Sequence, residues 1–240
     1  MKIRANLAGW AAAIALAGSS ASASSRRPAI TIRVVNEGGV EAGTLSVARN
    51  EALRIFARAG IELVWLDCGV GRIQWGSGDP CQRDRGPAEF WFRIVTRRPS
   101  ATTPDVLGFT ELDDTRDLRS AGVYYPCVMG LSKKWRVGAG EILGAAVAHE
   151  VGHLILGARS HTARGIMQAH WTGAEFVQIG LGELSFTPAQ ARMLDERITF
   201  LMNSPSLATQ TPPAPLQSTS QPLRVGARPP YGWTPSVGCA

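Results

Sequence analysis

One stretch near the middle of the chain constrains its fold more than any other. Between Ile142 and Leu156 every residue is apolar or glycine except His149, Glu150 and His153. A helix that is apolar on all sides has to be buried. Burying a carboxylate beside two imidazoles is costly unless another group pairs with them. The stretch therefore predicts a central helix over residues 141–156 with other layers of structure packed around it.

The polar residues of this helix follow the pattern H-E-x-x-H. His149 and His153 are four residues apart, so on a helix they lie on one face, one turn apart. Two such imidazoles with a neighbouring glutamate form the zinc hydrolase motif. Catalytic zinc takes three protein ligands and leaves its fourth position to water, whose proton a glutamate can remove. We expect Zn²⁺ at His149 and His153, with Glu150 as the catalytic general base.

The third ligand is predicted from the residues just beyond the helix. Gly157 stands where a glycine commonly turns the chain at the end of a helix, and His161 comes four residues later. We expect His161 to be the third metal ligand. Glu175 and Glu183 are the alternatives, because other zinc peptidases take a glutamate ligand at about this distance. All four histidines of the chain lie between residues 149 and 170, which also favours one histidine site.

The segment resembles the active-site region of the metzincin metallopeptidases. Their motif is H-E-x-x-H-x-x-G-x-x-H, followed by a methionine turn under the metal. The first three motif residues match here without adjustment. Gly157 and His161 match in order and role, but each comes four residues after the preceding motif residue where the family has three. Residues 165–167, Gly-Ile-Met, would be the methionine turn.

The resemblance implies a fold, and the rest of the pattern agrees with it. Metzincins have a twisted mixed sheet over the active-site helix and a C-terminal helix after the methionine turn. We therefore expect an α+β (mixed α/β) class with a metzincin-like sheet packed on the active-site helix. Hydrophobic periodicity predicts strands at 29–35, 61–66, 89–96, 106–110 and 122–129, and helices at 44–59 and from Thr187-Pro188 to about residue 201.

Composition divides the chain into three parts. Residues 1–23 have a basic start, a short apolar run at 7–17 and the small-residue signal Ala-Ser-Ala, which predicts a signal peptide cleaved after Ala23. Residues 27–202 form the predicted zinc peptidase-like domain. Residues 203–240 are rich in Pro, Ser, Thr and Gln and predict a disordered tail. The expected location is secreted or periplasmic, with no membrane span after signal cleavage.

Export makes disulfides the expected state of the four cysteines. These are Cys68, Cys81, Cys127 and Cys239, and an even number in an oxidising compartment favours pairing. Three pairings are possible. One joins Cys68 to Cys81 across a glycine-rich loop and leaves Cys127 with Cys239. No C-x-x-C spacing indicates a cysteine zinc site, and Cys239 as a latency ligand on the zinc is a minor alternative.

The expected function is that of a zinc-dependent endopeptidase, which hydrolyses peptide bonds through a metal-bound water with Glu150 as base. Its partner is then a peptide or protein substrate, and by analogy a sheet edge near 123–128 would pair with it. The alternatives are an exported non-catalytic zinc-binding module and a hydrolase of a non-peptide amide. A net charge of +6 without a Lys/Arg tract favours a mildly basic surface and no nucleic-acid partner.

Overall fold

The structure, a computed structural model, describes residues 27–69, 79–97, 106–113 and 118–203. The predicted signal peptide at 1–23 lies outside these residues. So does the predicted tail at 203–240, except for Asn203, which ends the last helix. The boundaries of both segments therefore stay predictions.

The described chain contains a five-stranded, mostly parallel sheet. Its strands are β1 (Ala29–Asn36), β2 (Glu62–Asp67), β3 (Glu89–Val95), β4 (Gly108–Asp113) and β5 (Leu118–Tyr124). The strand order is β2-β1-β3-β5-β4. Three neighbouring pairs are parallel, and only β4 runs antiparallel, against β5. The two edges of this sheet are thus β2 and β4.

Five helices complete the described chain, and the third of them is central. They are α1 (Ala42–Arg58), α2 (Tyr125–Trp135), α3 (Ala139–Leu156), α4 (Gly173–Gly180) and α5 (Pro188–Asn203). The buried helix α3 contacts β3, β4 and β5 as well as each of the other four helices. The predicted fold class is confirmed, since a mixed sheet packs on the helix that carries the motif and a further helix follows it.

Alternating burial explains how the sheet faces its helices. In β1 the side chains of Ile30, Ile32 and Val34 are buried, and their partners in β3 include the buried Phe90 and Phe92. These side chains form the hydrophobic core together with the buried faces of α1 and α3. The buried side chains that alternate along the strands and the apolar side chains of α3 therefore belong to one hydrophobic core.

Helices α1 and α3 approach each other closely because α3 carries glycines on the shared face. A Cβ atom on Gly144 would lie 2.5 Å from the carbonyl oxygen of Ala48, and one on Gly140 would lie 2.6 Å from the Cβ of Val47. Real Cβ atoms do not come so close to other heavy atoms. Because these two positions lack side chains, α3 can pack closely against α1. This close contact sets the position of the motif residues on α3.

Two predictions about the region after β4 are wrong. The predicted strand at 122–129 ends at Tyr124, and residues 125–129 belong to α2, which has Pro126 in its first turn. The proposed sheet edge at 123–128 is also incorrect, because β5 lies between β3 and β4. The edge next to the motif helix is β4.

Disulfides are present in the described chain. Cys68 and Cys81 are bonded, with a Cα–Cα distance of 5.7 Å. Cys127 is also disulfide-bonded, and Cys239 lies outside the described residues. Disulfides are compatible with an oxidising, extracytoplasmic location. Of the helices in the described ranges, none is both long and apolar enough to cross a membrane.

Candidate metal centre

The two motif histidines lie side by side on α3, deep in the protein. His149 and His153 are 0% and 1% exposed, and their ring centroids are 4.8 Å apart. The helix ends at Leu156, and the next residue, Gly157, has a φ of 96°, which lies in the left-handed region that favours glycine. Its N–H donates to the carbonyl oxygen of His153 at 2.9 Å. The chain then turns back and brings the half-buried His161 to the same place.

The Nε2 atoms of the three histidines converge. His153 Nε2 lies 3.2 Å from His149 Nε2 and 3.0 Å from His161 Nε2. Zinc bound tetrahedrally to imidazoles at 2.0–2.1 Å holds their nitrogens about 3.3 Å apart. Within the described ranges, this is the one group of three or more His, Cys, Asp or Glu side chains whose ligand atoms could share a metal ion.

Hydrogen bonds at the far side of two rings decide which nitrogen faces the centre of the cluster. His149 Nδ1 lies 2.7 Å from the carbonyl oxygen of Ile166. Since a carbonyl only accepts, Nδ1 carries the hydrogen and Nε2 keeps its lone pair. Trp171 Nε1 donates to the same oxygen at 3.1 Å. His153 Nδ1 likewise faces the Gly157 carbonyl at 3.3 Å and Ser160 Oγ at 3.0 Å.

This arrangement fits a divalent cation. Lone pairs of neighbouring imidazoles that point at one position repel each other unless a positive charge lies between them. Three imidazole donors are a ligand set that suits zinc, and buried hydrogen bonds to the other ring nitrogens are usual for such ligands. The residues present therefore fit a zinc ion, held by His149, His153 and His161.

Burial keeps the three imidazoles neutral. Desolvation lowers the pKa of His149 well below its ordinary value of 6.5, and the nearby His153 lowers it further. Burial also lowers the pKa of His153, to about 4. The pKa of His161 is lowered by burial and by the adjacent exposed His170. Neutral imidazoles are the form that binds a metal, so at neutral pH the cluster is ready for one without losing protons.

Glu150 lies against the edge strand β4. Its carboxylate is buried, and Oε2 accepts a hydrogen bond from Thr110 Oγ1 at 2.9 Å. A Cβ atom on Gly108 would lie 2.5 Å from Oε1, so the carboxylate fits only because that residue is glycine. Neither Gly108 nor Thr110 was predicted as a site residue. Their contribution depends on a contact between segments about 40 positions apart, which the sequence does not signal.

The residues predicted as a methionine turn form a tight turn beneath α3. Gly165 has a φ of 76°, and the N–H of Ile166 donates to the carbonyl oxygen of Ser185 at 2.9 Å. Met167 is fully buried, and its sulfur would lie 2.6 Å from a Cβ on Gly152. Gly152, which directly precedes His153, thus leaves room for the Met167 side chain against α3.

The two glutamates considered as alternative ligands lie elsewhere. Glu175 caps α4: its Oε2 accepts from the N–H and the hydroxyl of Thr172, and its Oε1 accepts from Gln168 Nε2, all at 2.7 Å. Burial alone would raise the pKa of Glu175, but these hydrogen bonds outweigh it and lower that pKa. Glu183 is exposed in the turn after α4. The structure brings His161, and neither glutamate, to the histidine pair.

Comparisons with known proteins add a likeness in fold. No protein-family model matches the chain, and no curated protein does. Among solved structures, the chain is similar to the crystal structure of archaemetzincin from Methanopyrus kandleri, with 11% sequence identity and a TM-score of 0.44. The match covers 72% of this chain and 98% of that one. The function proposed for this chain rests on the site itself and not on this likeness.

Proposed function

We propose that the protein is a zinc-dependent peptidase, with His149, His153 and His161 as metal ligands and Glu150 as general base. The observation that carries this proposal is the convergence of the three imidazole Nε2 atoms beside Glu150, a buried glutamate on α3. Zinc at this position would polarise a scissile carbonyl and lower the pKa of a water molecule beside it to about 7.

Glu150 would remove a proton from the attacking water and deliver it to the leaving amine. Two features of its surroundings suit that role. The carboxylate is adjacent in sequence to one ligand and is held by Thr110, so its position is restricted. A structural zinc site has no need of a carboxylate in this place, because such sites are closed by four protein ligands.

The edge strand β4 offers a place for an extended substrate. Among the described strands it pairs only with β5, which leaves its other side as the edge of the sheet. A peptide that added to this edge would run beside the strand that holds Glu150 through Thr110. The proposed substrate is therefore a peptide or a protein segment in extended conformation.

Export by the N-terminal segment, with disulfide formation outside the cytoplasm, is part of the same proposal.

The decisive experiment combines metal analysis with one substitution. The purified protein should contain one zinc ion and cleave casein or a peptide library, and a chelator should abolish cleavage. Glu150→Gln should retain zinc and lose activity by about a hundredfold to ten-thousandfold. Glu141→Gln, the same change at the start of the same helix, should leave activity intact.

Two outcomes would decide against the proposal. If Glu150→Gln cleaved peptides as fast as the parent, Glu150 would not be the base. If the protein held zinc but cleaved no peptide, the non-catalytic module or a non-peptide amide substrate would replace the peptidase assignment. A screen of amide substrates with the same chelator control separates these last two.

A further inference from the structure

Ser160, which directly precedes His161, links the turn after α3 to the ring of His153. Its Oγ lies 2.7 Å from the carbonyl oxygen of Gly157 and 3.0 Å from His153 Nδ1. The ring nitrogen itself is 3.3 Å from the same carbonyl. The hydroxyl, the imidazole and the carbonyl therefore form a closed triangle of polar atoms on the side of the ring away from the other histidines.

The chemistry of the carbonyl fixes the direction of each bond in this triangle. A carbonyl oxygen only accepts, and a serine hydroxyl has a single hydrogen. At 2.7 Å the Ser160 hydroxyl donates to Gly157, so it has only lone pairs to offer His153. His153 Nδ1 must then be the donor. Its Nε2 is left without a hydrogen and points its lone pair at the Nε2 atoms of His149 and His161.

We propose that Ser160 is a positioning residue, which holds His153 in the tautomer and ring orientation that bind Zn²⁺. The inference rests on the proposed zinc site and deepens it. His149 is oriented by a main-chain carbonyl at 2.7 Å, a normal hydrogen-bond distance. His153 has a carbonyl only at 3.3 Å, longer than the usual 2.9–3.0 Å. The serine hydroxyl supplies the shorter contact that this ring otherwise lacks.

The position of Ser160 in the loop supports this role. The residue is half-buried, so water competes only partly for its hydroxyl. It also neighbours the third ligand, so its bond to Gly157 holds the returning chain at the end of α3. Hydrogen bonds of this kind to metal-binding histidines typically contribute about 10- to 100-fold to metal affinity.

The test measures Zn²⁺ affinity in the full chain by competition with a chromophoric chelator. Ser160→Ala should weaken Zn²⁺ binding by about 10- to 100-fold, and Ser160→Thr, which keeps the hydroxyl, should restore most of that loss. Ser132→Ala is the matched control. Its hydroxyl also donates to a main-chain carbonyl, that of Val137, at 2.7 Å, but it contacts no imidazole in the described structure. This control should bind Zn²⁺ as the parent does.

A spectroscopic measurement separates a positioning role from general support of the loop. Co²⁺ bound in place of Zn²⁺ reports ligand geometry in its visible absorption bands. Ser160→Ala should change these bands, whereas Ser132→Ala should not. The thermal unfolding of the metal-free variants is measured alongside. The inference would be overturned if Ser160→Ala bound Zn²⁺ as tightly as the parent. It would also be overturned if the loss of Zn²⁺ affinity were fully accounted for by a loss of stability in the metal-free variant. If the parent itself bound no Zn²⁺, the proposed function would fail first.

Discussion

Thr110 lies outside the H-E-x-x-H motif, and its side chain contacts the proposed base, Glu150. Its hydroxyl donates to Glu150 Oε2 at 2.9 Å, and its main chain belongs to the edge strand β4. It therefore connects the strand proposed to bind substrate with the group proposed to take the proton. A hydrogen bond to a charged group contributes about 1.5–3 kcal/mol, which makes the contact large enough to affect turnover.

We predict that Thr110→Val lowers kcat by about tenfold or more, because the carboxylate loses the bond that orients it. Zinc affinity should not change, since the metal ligands are untouched. Thr110→Ser should recover most of the activity, and Thr31→Val, the same change in β1, should have no effect on kcat. Steady-state kinetics on a peptide substrate and a chelator titration measure both quantities. A variant with normal kcat would remove Thr110 from the mechanism.

The identity of the third metal ligand can be tested by replacing His161 and Glu175, one at a time, with alanine. We predict that His161→Ala loses zinc affinity by more than about 100-fold, since a ligand matters more than the groups around it. Glu175→Ala should keep its zinc and lose about 1 kcal/mol of stability, because the Glu175 half of the capping box at the start of α4 is removed. Metal analysis and thermal unfolding distinguish these results. Release of zinc by Glu175→Ala with retention in His161→Ala would reverse the assignment.

At the scale of single residues, the sequence predicted the site residues that are close together on one helix. It did not predict those whose role depends on contacts made by folding. His149, Glu150 and His153 lie within five residues on one helix, so their spacing alone implies a shared face. Thr110 and Ser160 act through hydroxyl groups whose partners depend on how the chain folds back. Serine and threonine are common in loops and strands, so neither residue type marks a site by itself.

At the scale of secondary-structure elements, hydrophobic periodicity did not predict helices α2 and α4, although each begins with residues typical of a helix N-terminus. Pro126 is at a favoured position in the first turn of α2. Thr172 and Glu175 form a capping box at the start of α4. The sequence pattern predicts a strand over the apolar run 122–129, although short apolar runs fit either a strand or a buried helix. The chain changes from β5 to α2 inside that run.

The contact of α1 with α3 gives a prediction at this scale. Gly144→Ala should destabilise the fold by about 1–3 kcal/mol, because its Cβ would meet the Ala48 carbonyl and the Glu51 side chain. Gly130→Ala in α2 is the control, since a Cβ there meets nothing within 4 Å. It should stabilise by about 0.5–1 kcal/mol, as alanine favours helix. Chemical denaturation measures both, and an unchanged Gly144 variant would contradict this packing.

At the scale of the whole molecule, the fold class was predictable but the order of strands was not. Strands β1, β2 and β3 could be recognised from their own residues, as in the alternation of Ile30, Ile32 and Val34 in β1. Which strands pair, and in which direction, depends on contacts between distant segments. That is why the predicted substrate edge includes β5, which is internal, whereas the sheet edge next to the motif helix is β4. The position of Glu150 against β4 results from the same pairing.

The buried histidine cluster couples the stability of the whole metal-free protein to pH. Burial lowers the pKa of all three histidines, that of His153 to about 4. The unfolded chain, with histidine pKa values near 6.5, therefore binds more protons than the folded chain as the pH falls below about 6.5. Stability rises with pH wherever the unfolded state holds more protons. Acidification from about pH 6.5 to 4 must then favour unfolding.

We predict that the metal-free protein loses unfolding free energy steadily between pH 6.5 and 4, by about 3 kcal/mol from His153 alone. Zinc should raise stability at neutral pH and lose this effect on acidification, because protons compete for the ligand nitrogens. Denaturation curves at several pH values, with and without zinc, measure both effects. His153→Gln removes one titrating group and should flatten the metal-free curve over this range. A parent curve already flat from about pH 6.5 to 4 would mean that the histidines are not buried in neutral form, and the cluster would not be prepared for a cation.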